Sequence, residues 1–254
     1  MILTVDIGNT NITLGAYLEN ELKFVSRLAT DPNLTADQYA IQLKGVLALR
    51  GIPEEEIENA ILATVVPAAG EAFSKAIELL FGKKPLVLGP GIKTGLNIKI
   101  DNPAQLGADL VAGAVGAADK YPYPTIIIDL GTATTLTVID KNGALLGGSI
   151  AAGIRSTLDA LATKTSLLPS IHIEAPKSVI GSNTIDCMKS GLVIGAAAML
   201  DGMIDRIEDE IGSKATVVAT GGLSEMVIKE CRKEIIYDND LLLDGLFKIY
   251  KKNI

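Results

Sequence analysis

Two short polar segments, each built around Asp-x-Gly, are the residues of this sequence best suited to binding a phosphate group. The first covers residues 6–13, D-I-G-N-T-N-I-T, and the second is D-L-G-T-A-T-T, which starts at Asp129. In both, a β-branched run leads into the polar residues and a run with alternating side chains follows, which predicts a β-hairpin with a polar turn. Gly8 and Gly131 are able to adopt φ > 0 and have no Cβ, and the neighbouring Asn and Thr side chains supply hydrogen-bond donors. Such a turn can hold a phosphate.

A single turn of this kind has a simpler explanation, because Asp and Gly are common wherever strands reverse. The repetition of the turn favours a binding role. Two such turns, one near the start of each half of the chain, indicate two related domains that face each other across a cleft. Each Asp would then reach a metal ion or its water. The paired turns therefore favour binding of a nucleotide together with a metal ion.

Asp109 is the candidate general base. Residues 102–120 predict a helix of small residues after Pro103, and Asp109 lies near its first full turn. A carboxylate there is favoured by the helix dipole, so a purely structural charge is one explanation. The other is a base that accepts the proton of an alcohol, since phosphoryl transfer depends mainly on positioning and on metal neutralisation, and an unshifted carboxylate can serve. The residues alone leave both open.

Three further positions occur where glycine-rich or polar residues open a predicted helix. Thr220, Gly221 and Gly222 follow a strand and suit the sugar or α-phosphate side of a nucleotide. Arg155 follows Gly153 and is either an anion contact or a surface Arg. Thr184 begins a long helix, as its N-cap or as a ligand contact.

The segment 89–96, G-P-G-I-K-T-G-L, superficially suggests a P-loop. The P-loop needs Gly directly before the Lys, and here Ile92 precedes Lys93, with no helical pattern after it. We therefore expect an exposed loop in which Lys93 is solvated, with Lys93 and Thr94 at the edge of the cleft as the alternative.

Composition and charge exclude several classes of protein. The 254 residues are 48% hydrophobic and 21% charged, which is typical of a folded globular chain. The net charge of -7 and the pI of about 4.9 give no general attraction for nucleic acid or anionic lipid. Cys187, Cys231 and His172 have no metal-ligand spacing, so the thiols indicate a reducing compartment. Without a basic leader or an uninterrupted apolar span, we expect a cytoplasmic protein that contacts no membrane.

The order of predicted elements is that of a duplicated α/β protein. The first half reads as three strands, helix, strand, helix and strand, which suits one ribonuclease-H-like domain, and the second half opens with the same meander. We place the domains at residues 1–118 and 119–254, each a mixed β-sheet flanked by helices. The helix that continues to Ile211 carries Gly191, Gly195, Ala198 and Gly202, which predict close approach of another helix at a domain or subunit interface.

Motifs over nearly the whole chain resemble one family. D-I-G-N-T-N at Asp6, D-L-G-T-A-T-T at Asp129 and A-T-G-G at Ala219 resemble the nucleotide site of the actin, hexokinase and sugar-kinase superfamily. Together with P-G-I-K-T-G-L, D-N-P-x-x-x-G-A-D, L-G-G-S-I-A-x-G-I and K-S-V-I-G-x-N-T, they are similar to type III pantothenate kinases, in that family's order. Most of these blocks are not general superfamily motifs, so the resemblance is specific.

The resemblance implies ATP-dependent phosphorylation of the primary hydroxyl of pantothenate, the first step towards coenzyme A. It implies Mg²⁺ and a monovalent cation, K⁺ or NH₄⁺, and a homodimer with the substrate pocket near the subunit interface. The residues it implies are Asp109 as proton acceptor; Asp6, Ile7, Gly8, Asn9, Thr10, Asn11, Ile12, Thr13, Thr132, Gly221 and Gly222 for ATP; Gly107, Ala108, Asp109, Leu110 and Thr184 for pantothenate; Asp129 for the monovalent cation; and Asp6 for Mg²⁺, directly or through water.

Two departures from the family pattern affect the substrate side. The family usually continues G-A-D with Arg, where this chain has Leu110, and often has Tyr before D-N-P, where this chain has Ile100. Leu cannot replace the donor fork of Arg, and Lys93 or Arg155 is the candidate to compensate.

Two other functions remain as alternatives. One is another small-molecule kinase of the superfamily that acts on a sugar-like alcohol, which Leu110 leaves open. The other is a non-catalytic ATP-binding regulatory or filament-forming protein, which Asp109 disfavours because binding alone needs no base.

Overall fold

The computed structural model describes every residue from Met1 to Ile254 and divides into two compact units. The first unit comprises Met1–Leu96, Asp101–Asp119 and Asp240–Ile254, and the second comprises Asn97–Ile100 and Lys120–Asn239. The strands are β1 (Ile2–Ile7), β2 (Asn11–Leu18), β3 (Glu21–Ala29), β4 (Asn59–Thr64), β5 (Leu86–Val87), β6 (Asn97–Ile98), β7 (Thr125–Leu130), β8 (Ala133–Ile139), β9 (Ala144–Ala152), β10 (Thr216–Thr220) and β11 (Ile236–Tyr237). The helices are α1 (Ala36–Leu49), α2 (Pro67–Phe81), α3 (Ala108–Lys120), α4 (Ile154–Lys164), α5 (Thr184–Ile211), α6 (Ser224–Ile228) and α7 (Leu241–Asn253).

The two sheets repeat one topology. The first sheet has the order β3-β2-β1-β4-β5, and five strands of the second have the order β9-β8-β7-β10-β11. In each, the first three strands form an antiparallel meander and the last two pair in parallel. The second sheet gains a sixth strand, β6, parallel to β9. The predicted duplication of mixed sheets flanked by helices is confirmed.

Helices cover both faces of the first sheet. Successive side chains of a strand point to opposite sides, so each strand contributes to two separate cores. Leu3, Val5 and Ile7 of β1 pack in one core with residues of α1 and α2. On the other face, residues of β4 pack with α3 and α7; the central members of this second core are Ile61, Ala63, Val111, Ala112, Leu246 and Ile249.

Local signals explain where the helices begin and end. Thr35 is the N-cap of α1 and forms a capping box with Gln38. Pro67 occupies the first turn of α2, where its missing N–H has no intrahelical partner to lose, and Gly82 ends that helix in the left-handed conformation.

The long helix α5 has the length and composition of a membrane-crossing segment, with 28 residues and a mean hydropathy of 1.4 in its most apolar window. Core helices of globular proteins pass the same test. Leu192, Leu200 and Ile204 lie in the core of the second unit, and Asp201 accepts hydrogen bonds from the backbone N–H groups of Arg232 and Lys233. These contacts are those of a core helix.

The compact units differ from the predicted domains 1–118 and 119–254 in two segments and at Asp119, which belongs to the first unit. Residues 240–254 form α7 and complete the first unit, where Leu246 and Ile249 cover the sheet. Residues 97–100 contain β6 and belong to the second unit, because Asn97 and Ile98 pair with β9. Both segments are placed by contacts with parts of the chain that are distant in sequence.

Candidate active site

The first polar turn joins β1 to β2 and is held by the residue that follows β3. The N–H of Gly8 donates to the Asn11 carbonyl at 3.0 Å. Thr30 then ties down both sides of the turn, because its N–H donates to the Thr10 carbonyl at 3.0 Å and its hydroxyl donates to the Gly8 carbonyl at 2.7 Å. No motif in the sequence marks Thr30, since its role depends on the pairing of β2 with β3.

The residues predicted to contact ATP in this segment have two different environments. The side chains of Asn9, Thr10 and Asn11 are exposed, whereas those of Ile7 and Ile12 are fully buried in the first core. Only backbone groups of the two isoleucines are therefore left for a ligand. Thr13 is half-buried and lies opposite Asp6 in the β1–β2 pair.

Asp6 lies on the face of the first sheet that α3 covers. Its neighbour in the parallel pair is Ala63 of β4, which belongs to the core shared with α3. Asp109 is on that same helix, two residues before Val111 of this core. The first unit therefore brings Asp6 and the helix that carries Asp109 to the same side of the sheet.

The carboxylate of Asp109 folds back onto the N-terminus of α3. The N–H of Leu110 donates to its Oδ1 at 2.8 Å. A Cβ at Gly107 would lie 2.4 Å from that oxygen, so glycine leaves the space that the carboxylate occupies. Burial raises the pKa of Asp109 above the ordinary value, and the backbone N–H groups of the first turn counteract that rise. A buried carboxylate with a raised pKa is a stronger proton acceptor than a solvated one.

The predicted substrate residues next to Asp109 share its position in α3. Ala108 and Leu110 are half-buried in the first turn, and Ala108 packs against the core beneath the helix. Leu110 belongs to the first unit, whereas Ile100 lies just beyond β6 in the second.

The second polar turn joins β7 to β8 and is bound to the start of α4. The N–H of Gly153 and the hydroxyl of Ser156 donate to the Thr132 carbonyl at 3.1 and 2.8 Å. A Cβ at Gly153 would lie 2.4 Å from the carbonyl oxygens of Gly131 and Thr132, so this contact requires glycine. Thr132 is exposed beside a helix N-terminus, an environment that favours anions. Arg155, in the first turn of α4, is also exposed.

Asp129 and the Thr-Gly-Gly segment, which are far apart in sequence, meet in the second unit. Asp129 of β7 pairs with Thr220 of β10. Gly221 then has φ of +101°, and a Cβ there would lie 2.6 Å from Asp129 Oδ1 and 2.7 Å from the Leu130 carbonyl. Gly222 is exposed, with no atom near its missing Cβ. The structure thus brings a predicted cation ligand against a predicted nucleotide contact.

The conformational role of glycine differs from the expectation at the polar turns. Neither Gly8 nor Gly131 adopts φ > 0, and a Cβ at Gly131 would make only ordinary contacts at 3.6 Å. Their turns close without a left-handed residue, and the steric need for glycine falls at Gly153 and Gly221 instead.

Thr184 is the first residue of α5 and does not act as its N-cap. Asn183 is the N-cap, and its side-chain oxygen accepts from the N–H of Asp186 at 3.0 Å. The capping explanation for Thr184 is therefore wrong, since the preceding residue performs that role, and the exposed Thr184 side chain stays a candidate ligand contact.

The 89–96 segment forms a loop without the geometry of a P-loop. Its Lys93 is exposed, and the Lys93 backbone exchanges two hydrogen bonds with the Asn253 side chain at 3.0 and 2.9 Å. The loop is thus attached to the end of α7.

The titratable side chains suit a metal that is bound partly by substrate. No group of three or more His, Cys, Asp or Glu side chains is close enough to form a metal site by itself. Mg²⁺ is commonly held by one or two carboxylates together with substrate phosphates. Asp6 fits that mode of binding.

Comparisons with known proteins agree with this architecture. The family model for type III pantothenate kinase matches residues 2–206. Type III pantothenate kinases of Halalkalibacterium halodurans and Exiguobacterium sibiricum are 41% and 43% identical over 254 and 253 residues, with both chains covered completely. A ROK hexokinase from Thermus thermophilus, 12% identical, superposes with a TM-score of 0.54 over 99% of this chain and 98% of that one, which shows the fold. By the family model and by full-length identity, this chain belongs to the type III pantothenate kinase family.

Proposed function

We propose that this chain transfers the γ-phosphoryl group of ATP to the primary hydroxyl of pantothenate. The hydroxyl oxygen forms a new bond to the γ-phosphorus, the bond from that phosphorus to the leaving oxygen of ADP breaks, and the hydroxyl proton passes to a base. The products are 4'-phosphopantothenate and ADP. Family membership along the whole chain is the main support for this reaction.

The observation that carries the mechanism is the environment of Asp109. Its carboxylate lies at the N-terminus of α3, and burial raises its pKa. Asp109 accepts the proton of the hydroxyl as the new bond forms. The Leu110 N–H and the space left by Gly107 fix the orientation of the carboxylate, and positioning is the main protein contribution to phosphoryl transfer.

The two polar turns contribute the contacts with ATP. Asn9, Thr10 and Asn11 of the first turn offer exposed donors, and Thr132 of the second lies beside the N-terminus of α4. Gly221 and Gly222, which directly follow β10, contact the nucleotide through their backbone. Asp6 together with the phosphates would hold Mg²⁺, which would neutralise phosphate charge. Asp129 would hold the monovalent cation.

Recognition of pantothenate uses the first turn of α3 and Thr184. Gly107, Ala108 and Leu110 surround Asp109 in sequence, and Leu110 makes an apolar contact where the family usually has an Arg. Lys93 or Arg155, both exposed, replaces the missing charge. Unchanged pantothenate affinity after both are replaced by Ala would contradict this compensation.

The experiment that tests the function measures phosphate transfer from ATP to pantothenate with Mg²⁺, with and without K⁺. Asp109→Asn is expected to lower the rate by about 10²- to 10⁴-fold, which is the usual contribution of a general base. Asp119→Asn is the matched control, because Asp119 is on the same helix and forms only a surface ion pair with Lys248 at 2.8 Å. Its rate should equal that of the unmodified chain.

Two outcomes would favour another function. Transfer to a sugar or related alcohol, but not to pantothenate, would indicate a different substrate class. Absence of transfer to any alcohol from folded, ATP-binding protein would indicate a non-catalytic role.

A further inference from the structure

The hydroxyl group of Thr135 is unusual among the buried polar groups of the second sheet. Its Oγ1 is completely shielded from solvent, yet it has no hydrogen-bond partner. A buried hydroxyl that is left unpaired costs the full desolvation of the group, so nearly all such groups in folded proteins are satisfied. Thr125, in the adjacent strand, follows the rule, because its hydroxyl donates to the Pro122 carbonyl at 3.0 Å. Thr135 therefore needs an explanation.

Thr135 lies directly opposite Asp129. The two residues are partners in the antiparallel pair of β7 and β8, and Thr220 is the partner of Asp129 on its other side. Residues directly opposite each other present their side chains on the same face, with Cβ atoms about 5 Å apart. With Gly221, which lies against Asp129 Oδ1, these residues form what we call the Asp129 cluster: Asp129, Thr135, Thr220 and Gly221.

The chemistry of the Asp129 cluster favours a cation of single charge. One carboxylate and the two neutral hydroxyls of Thr135 and Thr220 carry a total charge of about -1, and neutral oxygen atoms replace the hydration shell of K⁺ readily. A phosphate placed among the same groups would be repelled by the carboxylate. Mg²⁺ loses its water reluctantly and prefers carboxylates with phosphates.

We propose that the Thr135 hydroxyl oxygen is a ligand of the monovalent cation held at Asp129 and that it sets the affinity for that cation. This inference rests on the proposed function, which places the cation at Asp129. It accounts for the unpaired oxygen: the group is kept without a protein partner because its partner is the ion. Thr135 acts on the cation and has no role in proton transfer.

The test compares Thr135→Val, which removes the hydroxyl with little change of shape, with Thr135→Ser, which keeps it. Tm is measured against K⁺ concentration, with tetramethylammonium chloride holding the ionic strength constant. A cation that binds the folded chain and not the unfolded one raises Tm with the logarithm of its concentration once that concentration exceeds its Kd. Thr135→Val should need at least about tenfold more K⁺ for the same rise, the size of effect typical for lost support at a metal site. Thr135→Ser should follow the unmodified chain.

Two further readouts separate ligation from packing. In tetramethylammonium alone, Thr135→Val should be at least as stable as the unmodified chain, because the hydroxyl loses no protein partner. Thr125→Val is the matched control: it breaks a hydrogen bond, so its Tm should fall in both salts while its K⁺ dependence stays normal. An unchanged K⁺ dependence of Tm in Thr135→Val, or no effect of K⁺ on the Tm of the unmodified chain, overturns the proposal.

A transfer assay on the same proteins distinguishes this inference from the function on which it rests. Phosphate transfer to pantothenate with no K⁺ effect on Tm would leave the function standing and remove the cation role of Thr135. A K⁺ effect on Tm that Thr135→Val weakens, in a protein that transfers no phosphate to pantothenate, would support the cation role and remove the function.

Discussion

At Asp109, burial and the helix N-terminus act on one carboxyl group in opposite directions. Burial raises its pKa, whereas the N–H groups of the first turn lower it, and burial has the larger effect. From sequence, the position of Asp109 in the first turn was readable, but its burial was not. A helix pattern fixes which turn a residue occupies, while burial depends on what packs against that turn.

The raised pKa predicts that Asp109→Asn stabilises the chain while reducing its activity. The folded state binds the Asp109 proton more tightly than the unfolded state does. The associated stability is therefore fully present below the unfolded pKa of about 3.9 and is lost as pH rises through the raised folded pKa. Asn stays neutral and its oxygen still accepts from the Leu110 N–H. Urea unfolding at about pH 8 should show the variant to be the more stable protein, with the difference shrinking towards about pH 4. Lower stability at both values would mean that the charge supports the fold.

The steric role of Gly221 gives a second prediction for a single residue. Ala at φ of +101° is strained, and its Cβ would lie 2.7 Å from the Leu130 carbonyl, a backbone atom that cannot move freely. We expect Gly221→Ala to lower the free energy of unfolding by about 2 kcal/mol or more. Gly222→Ala, with nothing near the added Cβ, should change it by less than about 0.5 kcal/mol. Chemical denaturation of both variants gives the comparison, and similar values for the two would contradict the steric argument.

At the scale of elements, local signals predict the paired hairpins and most helices, and long-range contacts account for what they miss. The β-branched runs with Asp-x-Gly turns, the capping residue Thr35 and the C-terminal Gly82 are all visible in sequence. The short strands β6 and β11 are not, because each is assigned only through its pairing with β9 or β10, whereas β5, which is equally short, follows α2 where the sequence predicts a strand. Helix α7 was also missed, although its apolar spacing, with Leu243, Leu246 and Tyr250, could have indicated it.

The crossing of α3 and α7 depends on glycine and gives a prediction for these elements. A Cβ at Gly245 of α7 would lie 1.9 Å from the Ala112 carbonyl of α3, so the two helix backbones touch. Gly245→Ala must separate the helices and should cost about 2 kcal/mol or more, with a loss of activity because α3 carries Asp109. Gly45→Ala is the control, since Gly45 lies within α1 with open space around its missing Cβ. That change should stabilise the chain by about 0.5–1 kcal/mol. Urea unfolding and the transfer assay measure both effects, and a Gly245→Ala protein as stable as Gly45→Ala would contradict the close crossing.

At the scale of the whole molecule, the duplicated topology is predictable and the exact division of the chain is not. The repeated motif at Asp6 and Asp129 predicts two copies of one sheet, and the strand orders confirm them. The segments 97–100 and 240–254 join the unit that is not their nearest in sequence. Sequence proximity favours contiguous domains, whereas β6 and α7 are placed by the sheet edge and the sheet face that they cover.

The uncovered face of α5 leads to a prediction about assembly. Gly191, Gly195 and Gly202 recur at helical spacing, and apart from the local backbone of α5 itself nothing in the chain lies within 4 Å of the position of their missing Cβ atoms. Small residues on one face allow a second helix to approach closely, so we expect this face to join two copies of the chain. Sedimentation equilibrium should then give twice the chain mass of 26.6 kDa. Gly195→Leu should shift the protein to the monomer with little change in monomer stability, because Gly195 is exposed and a Cβ there has no atom outside its own helix within 4 Å. Leu49→Ser, at an exposed position of α1, should leave the mass unchanged. A monomeric unmodified chain, or a Gly195→Leu protein that stays dimeric, would show that this face does not join the subunits.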